Sequence, residues 1–241
     1  MTNQTQAVLM TRFDAPRDGQ EEWNDWYETN YLAHRLELPG FLAARRYEVA
    51  KMLPEKFVVP GPSYLTVMEL QNLAALEGRE YRELVREEES AGPGKRFNYV
   101  LPELTGGAYE QFFPEEGPYE IPEGAGFLLA VGHSGIPREV VDEYHAWYNT
   151  EHIPSYLGIP GLMTARRFHK WEYSHAPGLG LPTEGPDFIA LYDLANDKVF
   201  ETEEFKARSG TPWSSRIRGY TWERRKMNQT YRLVSVLKAA P

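Results

Sequence analysis

Residues 26–47, WYETNYLAHRLELPGFLAARRY, return 121 positions later as residues 147–168, WYNTEHIPSYLGIPGLMTARRF. Nine of the 22 gapless pairs are identical, and several others exchange apolar or aromatic side chains of similar size. Self-similarity at this period calls for two equal halves, 1–117 and 118–241, that bury apolar surface against each other. It also makes every disagreement between the copies informative. The sharpest is His152, which aligns with Tyr31.

The first half reads as an alternation of strands and helices. AVLMTRF at 7–13 has the length and apolar content of a buried strand. Trp23, Trp26, Tyr27 and Tyr31 recur at three and four, predicting a helix over about 20–36 with one buried stripe and Asp18 as a candidate cap. Pro39 and Gly40 turn the chain into a strand over 41–49, and a Pro/Gly loop at 54–62 leads to another over 64–70. Asn72 offers the N-cap of a helix to about 89, and a fourth strand is expected near 108–113. This order is the ferredoxin-like split βαβ arrangement.

After a Pro/Glu/Gly-rich linker over 114–126 the order restarts. A strand spans 127–133, and a helix follows with Pro137 in its first turn and Val141, Tyr144, Tyr148 and His152 facing inward. Pro160 and Gly161 repeat the turn before a strand from 162 to about 173. A Gly/Pro loop over 176–186, a strand over 188–194, a short helix over 200–208 and a strand near 231–237 complete the half. In the strand FIALYDL, Phe188, Ala190 and Tyr192 point one way and Ile189, Leu191 and Asp193 the other. A four-stranded sheet with both helices on one side leaves its other face open, and joining two open faces removes them from water at about 25 cal/mol per Å2. The expected class is α+β: two ferredoxin-like βαββαβ repeats fused into one pseudo-twofold α+β barrel.

Composition narrows the function classes. Hydrophobic residues are 41% and charged residues 25%, as in ordinary globular proteins. No run approaches the roughly 18 apolar residues of a membrane span, and the first residues lack a secretory pattern, so the expectation is a cytoplasmic protein without a membrane partner. The absence of cysteine removes disulfides, thiolate ligands and cysteine nucleophiles together. A net charge of −9 argues against nucleic acid as a partner. The expected partner is a small-molecule substrate, with the fused barrel a monomer or a homodimer.

Trp147, Tyr148, Glu151, His152 and Pro154, followed by Pro160, Gly161, Arg166 and Arg167, form a pattern that resembles the EthD-like proteins of the dimeric α+β barrel superfamily. The resemblance covers the first part of each repeat. Single-repeat members of that superfamily close the barrel from two chains, so the duplication looks like a fused dimer. Members include cofactor-free monooxygenases, muconolactone isomerases, polyketide cyclases, dehydratases, decarboxylases and haem-binding enzymes. The resemblance therefore implies a fold more narrowly than a reaction.

His152 is the leading catalytic candidate, with Tyr148 beside it. Pro154 disfavours helical geometry at Ile153, which would end the helix near His152. There the helix dipole favours the imidazolium while burial favours the neutral ring, which suggests a pKa near neutrality suited to proton transfer. Glu151 should point to another face. Tyr144 and Trp147 would wall the pocket, and His133 would reach its mouth. In the first half, Tyr27, Tyr31 and His34 could line a second pocket, or that copy could be structural. Among the paired Arg45, Arg46, Arg166 and Arg167, an inward Arg166 could hold a substrate carboxylate or enolate; salt bridges between the halves are the competing reading. No HExxH pattern, P-loop or dinucleotide fingerprint occurs, so no cofactor or metal is expected, while one histidine would suffice to ligate haem. These features point to a cofactor-independent lyase or isomerase (dehydration, decarboxylation, or lactone or enol rearrangement) acting on a small aromatic or apolar oxygenated molecule. The alternatives are a cofactor-free or haem-dependent monooxygenase and a non-catalytic binder of a hydrophobic ligand.

Overall fold

The computed structural model describes residues 6–16, 18–90, 104–115, 119–175, 178–182 and 184–240. Eight strands are placed: β1 (Ala7–Phe13), β2 (Phe41–Ala50), β3 (Tyr64–Leu70), β4 (Thr105–Phe113), β5 (Phe127–His133), β6 (Leu162–Lys170), β7 (Phe188–Leu194) and β8 (Arg225–Lys238). They close into one antiparallel barrel in the order β1-β3-β2-β8-β5-β7-β6-β4. Within it the run β4-β1-β3-β2 is matched by β8-β5-β7-β6, the same order one half later. The registers match as well, since Ala7 faces Leu70 and Phe127 faces Leu194.

Closure depends on two long strands. β8 has 14 residues, twice what β5 needs: Arg225 to Arg232 pair with β5, while Thr230 to Lys238 pair with β2 of the other half. β4 divides itself in the same way between β1 and β6. Both strands are longer than their sequence pattern suggests, because polar residues at 225–230 and the glycines at 106–107 extend them beyond the apolar run that marks each one. With every edge paired, none is open to another chain.

Alternation along β7 sorts two cores. Ile189 and Leu191 join Val8, Val67 and Tyr231 inside the barrel, whereas Ala190, Tyr192 and Leu194 pack outward beneath the helices of the second half. Asp193 also faces inward and meets the ion cluster at the barrel centre. Arg45 Nη1 donates to Asp193 Oδ1 at 2.6 Å, its Nη2 to Glu69 Oε1 at 2.7 Å, and Arg166 grips Glu69 through both carboxylate oxygens at 2.9 and 2.8 Å. Glu69 and Asp193 stand at equivalent positions of β3 and β7, and the cluster crosses from one half to the other. Burial alone would raise the Glu69 carboxyl, but Arg166 and Arg45 hold it below its ordinary value. The linker over 114–126, partly outside the described residues at 116–118, is more than a spacer. Tyr119 lies 3.3 Å from the Arg166 guanidinium and donates to Asp193 Oδ2 at 2.7 Å.

The helices depart from expectation at their ends. The first runs as α1 (Gln20–Trp26), a π turn (Tyr27–Leu32) and α2 (Ala33–Leu36), with Gly19 rather than Asp18 at its N-cap and no side-chain cap bond. Asn72 does cap, but what it caps is a 3-10 turn (Leu73–Leu76), and α3 (Arg79–Ser90) begins only after Gly78. In the second half, α4 (Val141–Trp147) passes through a π turn (Tyr148–His152) into α5 (Ile153–Tyr156), so Pro154 does not end the helix at His152. The wide turn lets the Ile153 N–H reach the Tyr148 carbonyl and seats the proline ring at the start of the next turn. The short helix over 200–208 is a 3-10 turn (Val199–Glu201) followed by α6 (Glu203–Ser209), and a further helix, α7 (Pro212–Thr221), follows unforeseen. β6 ends at Lys170, and Glu172–His175 form a 3-10 turn. The Gly/Pro loop over 176–186 lies partly outside the described residues, at 176–177 and 183. Among the described residues no helix is long and apolar enough to cross a membrane.

Candidate functional site

The two helix–sheet layers are filled differently. In the first half Trp23 stacks on Tyr27 and Phe13 packs edge-on against Trp23, Tyr27 shares a hydrogen bond with Thr66 at 3.0 Å, and Tyr31 stacks on Tyr27 at 4.9 Å. Arg35 lies 3.6 Å over the Tyr31 ring and clamps Glu88 through two 2.7 Å bonds. These side chains occupy the space where a pocket was a possibility. His34 is exposed and lines nothing there, because the continuing helix turns it away from the sheet.

In the second half Tyr27 is kept as Tyr148, but most of the other corresponding positions change. Phe13 becomes His133, Trp23 becomes Tyr144, Tyr31 becomes His152, Arg35 becomes Tyr156 and Met68 becomes Tyr192. The result is a cavity of about 180 Å3 lined by His133, Trp147, Tyr148, His152, Tyr156, Tyr192, Phe205, Arg218, Trp222 and Arg225, among others. Trp222, 44% exposed, stands on its solvent side. α7 roofs it, fastened by Trp147 Nε1 to Ser214 Oγ at 3.2 Å, by Thr211 Oγ1 to Glu151 Oε1 at 2.6 Å and by Trp213 Nε1 to Glu143 Oε1 at 3.0 Å. Glu151 therefore faces away from His152 and serves the roof.

His152 is held by rings and by no hydrogen bond. Trp147 stacks on it at 4.2 Å and Tyr156 lies at 4.0 Å, while its buried Nδ1 has no partner. Its pKa lies well below the ordinary histidine value, first through burial, then through the charges of Arg218 and Arg167, with His133 and Arg225 adding to them. A pKa near neutrality, expected for a helix ending at this residue, is overturned: the helix runs on to Tyr156, so no C-terminal dipole offsets the burial. His133 is lowered to about 3 by burial, then by Arg225 and Arg167; Tyr144 shares a 3.2 Å hydrogen bond with its Nδ1, and its buried Nε2 is unpartnered. Burial raises Tyr148 and Tyr192, and lifts Tyr156 to about 12. At neutral pH the cavity thus holds two neutral imidazoles and protonated phenols.

The cavity's cations are not those the sequence suggested. Arg166 points into the barrel, where Glu69 holds both of its terminal nitrogens, so it does not reach the site. Its neighbour Arg167 faces the helix instead, bonding Asn149 at 2.6 Å and His145 at 2.8 Å and lying 4.2 Å over the Tyr148 ring, behind the cavity wall. The charges that line the space are Arg218 from α7 and Arg225 from the start of β8. Arg225 sits 4.7 Å over the Trp222 ring with its buried Nε unpartnered. No aspartate or glutamate is among the lining residues. Tyr192 was legible from strand alternation; Arg218 and Arg225 carried no local signal.

No protein-family profile matches the chain, and no curated protein matches its sequence. Solved structures do. An anthrone oxidase-like protein superposes with a TM-score of 0.58 at 12% identity, over 100% of this chain and 95% of its own. A candidate monooxygenase from Fusobacterium nucleatum subsp. nucleatum gives 0.55 at 7% identity over 99% and 96%, and a mutant chlorite dismutase from Candidatus Nitrospira defluvii gives 0.54 at 11% over 98% and 92%. The chain has the ferredoxin-like α+β barrel fold. At such identities the likeness speaks for architecture and not for chemistry.

Haem, which the superfamily resemblance allows, does not fit this cavity. Sites for cofactor-sized molecules occupy about 300–1,000 Å3, against about 180 Å3 here. The His152 ring, with Trp147 stacked on it and Tyr156 at 4.0 Å, leaves no room for a macrocycle beside it. Among the described residues no group of three or more His, Asp or Glu side chains is placed to hold a metal ion.

Proposed function

We propose that this chain is a cofactor-independent enzyme of lyase or isomerase type that removes a proton from a small oxygenated molecule, about one aromatic ring in size, held beside His152. A dry cavity of about 150 Å3 accommodates benzene, so 180 Å3 suits a substituted single ring. The observation that carries the reading is the polar inventory of an otherwise aromatic space. Two neutral imidazoles each keep an unpartnered nitrogen, and two guanidiniums face them without a carboxylate. Leaving a buried polar atom unpaired costs about 1–3 kcal/mol, and a ligand that exchanges hydrogen bonds with these atoms removes that cost. Arg218 and Arg225 favour an anion, so a phenolate or enolate is stabilised as it forms. Burial is the first cause that keeps His152 neutral and the arginine charges the second; the anion offsets the second, and proton transfer to His152 becomes easier once the ligand is bound. Tyr148 donates to the developing oxyanion, Trp147 and Tyr156 wall the pocket, and Tyr144, which is not among the lining residues, holds His133 from behind.

The fold neighbours favour one second reading. With an anthrone oxidase-like protein and a candidate monooxygenase sharing the barrel, the carbanion formed at an activated methylene group could meet dioxygen. In that reaction the methylene carbon loses both hydrogens and gains one oxygen atom as a carbonyl, while the second oxygen atom leaves with the two hydrogens as water. We further propose that the chain is a fused pair of EthD-like repeats, 1–117 and 118–241. On that reading the second repeat carries the site and the first copy, with Tyr27 and Tyr31 packed in its core, is structural.

The test is a panel of single-ring 1,3-dicarbonyls, hydroxyaromatics and lactones assayed with and without oxygen. Turnover in the absence of oxygen supports the lyase or isomerase, and consumption of one dioxygen per product supports the oxygenase. Loss of His152 as acid–base catalyst should lower kcat about 10²–10⁴-fold. An H152A variant that turns over as fast as the parent sinks both enzyme readings, and ligand affinity without turnover leaves a binder.

A further inference from the structure

One end of the barrel holds a buried cation that no carboxylate among the described residues balances. Arg12, near the end of β1, is 6% exposed; its Nη2 donates to Gln229 Oε1 at 3.2 Å and its buried Nε has no acceptor. Among the described residues no acidic side chain pairs with it. The contrast lies within the same barrel, where Arg45 and Arg166 are each matched by buried carboxylates. An unbalanced charge taken from water costs several kcal/mol after relaxation, so an arginine is an expensive way to fill this position.

Packing does not demand it. By register, Arg12 opposite Leu65 corresponds to Gly132 opposite Ile189 in the second half, where Pro186 closes over the glycine. In the first half the guanidinium lies against Gly61, where a Cβ would come within 1.8 Å of Nη2. The glycine thus leaves the guanidinium the room it occupies. Around it is a cleft of about 510 Å3 at the strand ends, which Arg12 lines together with Thr105, Lys226 and Gly185. Thr105 Oγ1 is buried without a partner. Lys226 is exposed, and Glu184, also exposed, is the one carboxylate of the lining and pairs with neither cation.

We propose that this end of the barrel binds a small oxyanion, a carboxylate or phosphate group, with Arg12 as its anchor, Thr105 as a hydroxyl donor and Lys226 as a second charge. A guanidinium fork matches such oxygens in pairs, and Arg12 and Thr105, which both line the cleft, each keep a buried polar atom without a partner. The site is separate from the His152 cavity, shares none of its lining residues and stands whether or not that cavity is catalytic.

Calorimetric titration of the whole chain with inorganic phosphate and, separately, with malonate at fixed ionic strength tests it. One-to-one binding of at least one is expected, and which of them binds distinguishes a phosphate from a carboxylate ligand. R12M should weaken binding at least tenfold and T105V severalfold, while R225M in the other cavity leaves it unchanged. Should R12M fail to fold, T105V and K226M decide the matter. The proposal is overturned if neither anion binds, if these variants bind like the parent, or if R225M alone abolishes binding.

Discussion

Replacing His133 by Phe, the residue at the equivalent position in the first half, should halve a specific acid sensitivity of this protein. His133 has a folded pKa of about 3, and that of His152 lies well below the ordinary value. In the unfolded chain each regains a value of about 6.5. Because the folded pKa values are depressed, the unfolded state binds more protons as pH falls through about 6.5. Stability is therefore complete above that pH and is lost below it by about 1.4 kcal/mol per pH unit for each group. Between pH 7.5 and 5.0 the loss is about 2 kcal/mol per histidine and about 4 kcal/mol for the pair. Glu69 and Asp193, whose folded values are also lowered, begin to contribute only at more acid pH, so they stay outside this window. His145, lowered to about 4 but only half buried, adds a smaller share. Urea unfolding at the two pH values measures the difference. H133F should lose about 2 kcal/mol less than the parent over the interval, whatever constant cost the larger ring imposes, and H133F/H152N about 4 kcal/mol less. An H133F protein with the parent's full loss would show that His133 titrates normally when folded, and would remove the electrostatic basis given for the site.

Three further outcomes follow from the geometry. Replacing Glu69 by Gln leaves Arg45 and Arg166 short of a buried partner and should destabilise by about 3–5 kcal/mol in urea unfolding at neutral pH. With His152 already neutral, kcat/KM should stay flat from about pH 6 to 8; a tenfold rise through that range that disappears in H152N would contradict the depressed pKa. Gly106 has φ +142 and a Cβ there would meet the Met10 carbonyl oxygen at 2.0 Å, so G106A should cost more than about 1 kcal/mol and lower the melting temperature by several degrees.

The architecture was legible because apolar alternation and turn residues act locally. FIALYDL announces its two faces at a glance, and Pro160-Gly161 marks the entry to β6, where Gly161 has φ +89. Element ends were less legible. Pro154 should by local preference have stopped the helix, yet a π turn absorbs it, and that turn changes the electrostatics of His152. The comparison of copies located the cavity: His152 against Tyr31 marks it, and the structure adds His133 against Phe13 and Tyr192 against Met68. Its charges could not be read in advance. Arg218 lies on α7, whose apolar stripe is weak, and Arg225 opens a strand whose apolar pattern becomes plain only later. The choice between Arg166 and Arg167 turned on the phase of β6, since adjacent residues face opposite layers and Glu69 across the barrel claims Arg166.

On the proposed function, the His152 cavity takes a small acidic oxygenated ring and accepts its proton. Titration of the protein with 4-nitrophenol at pH 6, followed by the visible band of the phenolate, tests this directly. Binding should bring up the phenolate band in the parent, with the proton passing to His152 and the anion facing Arg218 and Arg225, and the band should be absent in H152A. Binding that leaves the phenol protonated, or an unchanged band in H152A, would contradict the account.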